Sequence, residues 1–243
     1  MKTRVSISLG VVFLFWAVGF APEARAHRED YINETFVYRT LDKGEVELEF
    51  FSDIRGPGHR WVGGPRWIPG FEWGVTERFM VDAALTFQGG TGRNALQRVR
   101  TELRYRFSEE GRHFVDRAVS LEYEWEREDG TSEILQELTP RLVLNRDFRE
   151  KLNLTLNLEA CLRLKGSPAF APGYRVGVRY PDVGRFRYGA ELQEVFAGRP
   201  EMLVVPQLWF SPRKGVNLRV GYAKRLTNAG PNDYVRLGIE AEF

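Results

Sequence analysis

The chain is poor in several residues that usually decide a protein's chemistry. It has one cysteine, Cys161, in 243 residues, which excludes an internal disulfide. It has three histidines, His27, His59 and His113, so catalytic triads and histidine metal sites have little to draw on. Past residue 26 no apolar run reaches the roughly 18 residues that would mark a membrane-spanning helix. Net charge is scarce as well. Lys2, Arg4, Arg25 and Glu23 fall in the first 26 residues, and removing them from 35 bases and 33 acids leaves 32 of each. The basic balance of the full chain is thus carried by its start, and nothing argues for a nucleic-acid partner.

That start reads MKTRVSISLGVVFLFWAVGFAPEARA. A basic opening, an apolar core over Val5–Phe20 and the small-residue motif Ala24-Arg25-Ala26 make a secretory signal peptide cleaved after Ala26. The alternative is an anchoring helix, but the apolar run is short for a span of about 20 residues. The mature chain would begin at His27. Its free amino group offers an N-terminal metal chelate, although a plain tail explains the residue better. No cofactor or metal is expected.

Alternation is abundant in the rest. In LNLTLNLEACLRLK, residues 152–165, Leu152, Leu154, Leu156, Leu158, Ala160 and Leu162 take every second place. At 3.6 residues per turn a helix would scatter them, whereas a strand puts them on one face. The run is about 11 residues long, matching a transmembrane barrel strand of about 9–11 and exceeding the usual soluble strand of about 5–6. The same pattern recurs over 45–54, 66–76, 79–88, 97–107, 118–127, 133–145, 173–180, 185–195, 215–225 and 233–243. Residues 201–211, containing MLVVPQLWF, read on either parity. The total of twelve strands is even, as closed bacterial barrels require. The expected fold is an all-β transmembrane antiparallel up-and-down barrel over 43–243. Residues 27–42 stand outside the pattern, either as a periplasmic lead-in or as a segment packed in the barrel mouth.

The links between strands also sort into two kinds. Short turns at 76–78, 145–151, 181–184 and 211–214 alternate with longer or Gly/Pro-rich stretches at 53–65, 165–172 and 227–232. This is the expected division between periplasmic turns and outer loops. Two links break it: 108–117 is long for its side, and Asp129-Gly130 makes a tight turn on the other. Trp73, Phe79, Phe107, Tyr180, Phe186 and Phe243 lie on the outward parity near the short turns, where an interfacial girdle would sit.

With its signal peptide, its last strand YVRLGIEAEF and its terminal Phe243, the chain resembles Gram-negative outer-membrane β-barrels. That resemblance implies an outer-membrane location, contact with outer-membrane lipid and recognition of Phe243 by the barrel-assembly machinery. The segments ETFVYRTLDKGEVELEF and GYRVGVRYPDVGRFRYGAELQ resemble small outer-membrane channel or transporter-like families, including those associated with aromatic-compound degradation. Passage of a small-molecule solute follows as the implied role.

The inward parity is crowded with charge. The expected lumen lining comprises the acids Glu45, Glu47, Glu49, Glu72, Glu102, Glu122, Glu124, Glu126, Glu191 and Glu240. The bases are Arg98, Arg100, Arg104, Arg106, Arg141, Arg175, Arg179, Arg187, Arg219 and Arg236. The ladder at 98–106 would face that at 122–126, pairing opposite charges across adjacent strands. Such an interior is either a solute channel without strong ion-sign preference or a paired, non-conducting structural or adhesive barrel. A lipid hydrolase is the third reading, but neither His59 nor His113 sits on an outward strand position beside a serine. The register also carries an energetic expectation. Leu156→Arg should cost about 2–4 kcal/mol at the midplane, and replacing Asn157 should be mild.

Overall fold

The computed structural model describes residues 30–55, 64–89, 94–109, 111–127, 133–149, 151–165, 169–196, 201–227 and 233–243. The signal peptide, His27, His59 and the Asp129-Gly130 turn lie outside the described residues.

Twelve antiparallel strands close on themselves. They are β1 (Val46–Arg55), β2 (Arg66–Thr76), β3 (Phe79–Gly89), β4 (Asn94–Arg106), β5 (Asp116–Arg127) and β6 (Ile134–Phe148). The others are β7 (Leu152–Arg163), β8 (Phe170–Tyr180), β9 (Phe186–Val195), β10 (Glu201–Arg213), β11 (Val216–Arg225) and β12 (Tyr234–Glu242). Each strand pairs with its sequence neighbours, and β1 pairs with β12 from Glu47↔Glu242 to Arg55↔Tyr234. Phe243 extends the seam, since its N–H and C=O both bond to Val46. Closure leaves no unpaired sheet edge.

The alternation translates into two faces. On β7, Leu154 and Leu158 are 38% and 44% exposed, while Asn153 and Asn157 are 1% and 0%. Leu48, Phe71, Leu85, Leu103, Leu121, Leu142 and Leu237 extend this apolar exterior around the barrel. An exposed apolar surface of this extent suits lipid, since water would oppose it. At the end that carries the two short links 77–78 and 214–215, Trp73, Phe107, Tyr180 and Phe186 are exposed, and Phe79 and Phe243 are half-buried. The link 107–115 remains the long exception at that end.

β10 resolves the parity that its sequence left open. Val205, Gln207 and Trp209 point inward, and Leu208 is 57% exposed. Val205 and Trp209 are apolar on this face because of what fills the barrel. Residues 30–42 lie inside it, with Tyr31, Ile32, Thr35, Phe36, Val37, Tyr38 and Leu41 all buried. They form three small clusters with the wall. Phe36 and Tyr38 meet Ala118 and Val143; Tyr31 and Val37 meet Trp209; Ile32 meets Val205 and Ala223. The described part of 27–42 is thus an internal segment and not a free lead-in.

Candidate functional site

The site is the lumen together with the segment that occupies it. Residues 42–45 root the segment at the short-link end. Gly44 N–H donates to Gly74 C=O at 2.7 Å, and Gly74 N–H donates to Glu45 C=O at 3.0 Å. The chain then runs inward and doubles back through a turn at 31–35, where Tyr31 N–H donates to Thr35 C=O at 3.0 Å and Glu34 N–H to Tyr31 C=O at 3.2 Å. Glu34 takes φ 68°, a left-handed conformation that side chains other than glycine seldom adopt.

Charge explains why a glutamate holds that place. The Glu34 carboxylate lies 2.9 Å from Arg100, 3.5 Å from Arg98 and 3.8 Å from Arg175. Burial opposes its ionisation, but the guanidiniums outweigh burial and hold the group well below the ordinary carboxylate range. Arg100 also reaches Asp82 at 3.0 Å, Arg175 reaches Glu159 at 2.9 Å, and Arg98 pairs with Glu124. The tip of the segment therefore completes a network anchored on β3, β4, β5, β7 and β8.

Wall side chains satisfy the segment's backbone. Glu191 accepts from the N–H groups of Asn33 and Thr35 at 2.8 and 3.1 Å. Gln207 accepts from Ile32 N–H at 2.8 Å. Asn157 accepts from Phe36 N–H at 2.7 Å and donates to Phe36 C=O at 2.9 Å, and Thr155 donates to the same oxygen. Arg236, held bidentately by Asp53 at 2.6 and 2.8 Å, donates to Ile32 C=O. A buried backbone outside any sheet needs such partners. None of residues 30–42 belongs to a strand or bridge, so the wall holds Ile32, Asn33, Thr35 and Phe36 through side chains.

Aromatic rings complete the fit. The Phe36 ring lies under two guanidiniums, with the Arg104 and Arg141 carbons 4.2 and 4.3 Å from its centroid. Arg104 pairs with Asp30 at 2.7 Å and Glu102 at 3.0 Å, and Arg141 pairs with Glu102 at 3.0 Å and Glu159 at 3.2 Å. Tyr31 donates to Asn153 at 2.7 Å and meets Trp209 edge to face at 5.7 Å. Arg179, paired with Asp182 at 3.0 Å, stands 5.4 Å from both rings. Two inward glycines admit the segment. A Cβ on Gly177 would meet the Tyr31 ring at 2.7 Å, and one on Gly221 would meet Ile32 at 2.8 Å.

The remaining expected residues fall as follows. Glu47, Glu49 and Glu240 cluster on β1 and β12, with Glu72 beside Glu49 on β2. Arg219 pairs with Glu240. Arg187 bonds to Ser211 at 2.8 Å and Asn217 at 3.0 Å, and Arg106 donates to Glu77 C=O at 2.7 Å. Glu126 is half-buried opposite Arg98. Glu45 precedes β1, and its carboxylate accepts from Asp42 N–H at 2.9 Å at the root of the segment. The β4–β5 register sets Arg98 against Glu126 and Arg100 against Glu124, but Glu102 faces Glu122, like against like. Arg100 instead points to Asp82 and Glu34, so charge pairing here is diagonal and inward. Sequence reasoning missed Asp30, Tyr31, Glu34 and Phe36 on the segment, and Asp53, Asn157 and Gln207 on the wall. The signal for the first four was a cluster of aromatic and β-branched residues without strand alternation. His113 is exposed in the 107–115 link, where its C=O accepts from Arg146.

Where the segment's tip ends, a cavity of about 290 Å³ opens. Arg66, Arg98, Arg175, Arg225 and Arg236 border it together with Glu34, Asp53 and Glu201.

The geometry of twelve strands, apolar outside and charged inside, meets a known group of structures. The fold is that of outer-membrane porins. A KdgM porin matches with a TM-score of 0.59 at 10% identity, over 81% of this chain and 99% of that one. The NanC porin matches with a TM-score of 0.61 at 10% identity, over 80% and 98%. An outer membrane channel from Pseudomonas putida F1 matches with a TM-score of 0.61 at 13% identity, over 85% and 98%. No protein-family profile and no curated sequence matches the chain. The porin fold thus rests on structure, and its likeness extends over nearly the whole length of each neighbour.

Proposed function

We propose that the protein is an outer-membrane channel for small solutes, closed in its resting state by residues 30–42. The observation that carries this reading is how the segment is held. It fills a polar lumen, yet wall side chains and ion pairs retain it, and none of its residues joins a strand of the barrel. It can therefore leave without opening the barrel.

The apolar exterior and the aromatic end support placement in a bilayer. The short-link end, with both ends of the barrel chain, is assigned to the periplasm. Cleavage after Ala26 and recognition of Phe243 by the assembly machinery belong to the same reading. The lumen-lining role of the inward charges does too, with Glu45 acting at the root of the segment. The cavity of about 290 Å³ beyond the tip is the outer vestibule, close to the lower limit of about 300 Å³ for small-ligand sites. Among the named neighbours, one structure is a KdgM porin in complex with disordered oligogalacturonate, a solute bound by a barrel of this architecture.

The test is liposome swelling with small neutral and charged solutes. Uptake should be slow in the intact mature protein and faster when residues 27–41 are removed. Equal permeability to that of protein-free liposomes in both, with folded barrels present, would favour a non-conducting barrel.

A further inference from the structure

The barrel register places acids directly opposite one another in an unbroken row. Glu242 faces Glu47, Glu47 faces Glu72, Glu72 faces Asp82, Asp82 faces Glu102 and Glu102 faces Glu122. Like charges directly across a strand pair repel, so such a row needs compensation. On the β4–β5 side it has it, because Glu102 lies 3.0 Å from both Arg104 and Arg141.

At Glu72 on β2 it does not. Carboxylate oxygens of Glu49, Glu72 and Asp82 all lie within 4.8 Å of one another, and Glu49 is shared with a second trio, Glu47 and Glu240. Glu72 is only 6% exposed, and its side chain makes no hydrogen bond or ion pair among the described residues. Asp82 has Arg100, but that guanidinium is shared with Glu34. Arg104, whose field reaches Glu72, is committed to Asp30 and Glu102. A cavity of about 30 Å³ is lined by Glu49, Glu72 and Asp82 and also by Arg100, Arg219 and Arg236, whose guanidiniums pair with Glu34 and Asp82, with Glu240 and with Asp53. Small residues keep it open. Gly70 and Ala84 flank it, and a Cβ on Gly70 would lie 3.4 Å from the Glu49 carboxylate.

Three converging carboxylates, one of them buried with no partner, form the donor set of a hard cation. Oxygens bound to Ca²⁺ at about 2.3–2.6 Å lie at most about 5 Å apart, which the observed spacing meets. The space exceeds the ~10–15 Å³ that one water needs. We propose that Glu49, Glu72 and Asp82 bind a divalent cation, Ca²⁺ in preference to Mg²⁺, between β1–β3 and the internal segment. The preference follows from irregular carboxylate geometry, which Ca²⁺ tolerates and octahedral Mg²⁺ does not. Asp30 borders the same cavity, so the ion sits against the plug.

The test is calorimetric titration of Ca²⁺ into folded, chelator-stripped mature protein in excess sodium, with Mg²⁺ in parallel. One saturable Ca²⁺ site is expected. Glu72→Gln and Glu49→Gln should each weaken it at least tenfold, and Glu133→Gln, at an exposed position before β6, should leave it unchanged. Heat-modifiable migration reports folding of each variant. No saturable Ca²⁺ binding by the folded wild type would overturn the proposal without reference to any variant. So would undiminished binding in both cluster variants, or Mg²⁺ binding more tightly than Ca²⁺.

Discussion

The carboxylate of Glu34 meets the guanidinium of Arg100 at 2.9 Å, joining the tip of an internal segment to the wall of β4. Glu34→Ala should loosen that tip. Removing one partner of a fully buried pair costs about 3–5 kcal/mol. Here Arg98, Arg100 and Arg175 keep Glu124, Asp82 and Glu159, so docking of the segment should weaken by only about 2 kcal/mol. Limited proteolysis should cut within 30–42 more readily in the variant, while the barrel stays resistant. Glu34→Gly should behave similarly. It relieves the backbone at φ 68° but loses all three ion pairs.

Gly177→Ala tests the fit from the opposite wall. The added Cβ would lie 2.7 Å from the Tyr31 ring, and overpacking of this kind costs about 1–3 kcal/mol. The added Cβ would also lie 2.9 Å from Thr155 Cγ2 on β7, so the strain is shared between the segment and one wall side chain. The expected outcome is faster cleavage within 30–42 with unchanged heat-modifiable migration. Equal cleavage rates would place Tyr31 elsewhere.

Asn157 separates what the lumen does from what the strand does. Sequence alone expects its replacement to be mild, because it faces away from lipid. The structure corrects this, since Asn157 binds both N–H and C=O of Phe36. Asn157→Leu leaves those groups unpaired at about 1–3 kcal/mol and should free the segment. Leu156→Arg should instead cost about 2–4 kcal/mol of barrel stability if the residue lies near the midplane. Urea titrations of folded protein in bilayers, read beside proteolysis of the segment, distinguish the two effects.

Phe36→Ala removes the ring over which the Arg104 and Arg141 guanidiniums lie. Loss of a buried phenylalanine costs about 3–5 kcal/mol, most of it in segment docking. Phe36→Leu should recover packing but not the cation–ring contacts. Cleavage of Phe36→Leu should therefore be intermediate between wild type and Phe36→Ala.

How much of this was legible depended on the range of the interactions. Strand alternation is local, so Leu154 and Asn153 declared their faces without any partner being known. The link lengths were local too, and they separated the short-link end from the other. The segment was not legible, because its backbone bonds join residues far apart in sequence, as Phe36 and Asn157 show. β10 was ambiguous for the same cause. Val205 and Trp209 are apolar on the inner face because Ile32, Tyr31 and Val37 pack there. The charge ladders of β4 and β5 misled through geometry. Arg100 has Glu124 directly opposite on β5, but its side chain turns the other way, to Asp82 on β3 and inward to Glu34.

Single-channel recording in a planar bilayer tests the central claim most directly, comparing mature protein 27–243 with a variant lacking residues 27–41. The account predicts a mostly closed wild type with brief openings, and long-lived discrete steps in the shortened barrel. Identical steady currents from the two proteins, or silence from a shortened barrel that is folded and inserted, would contradict it.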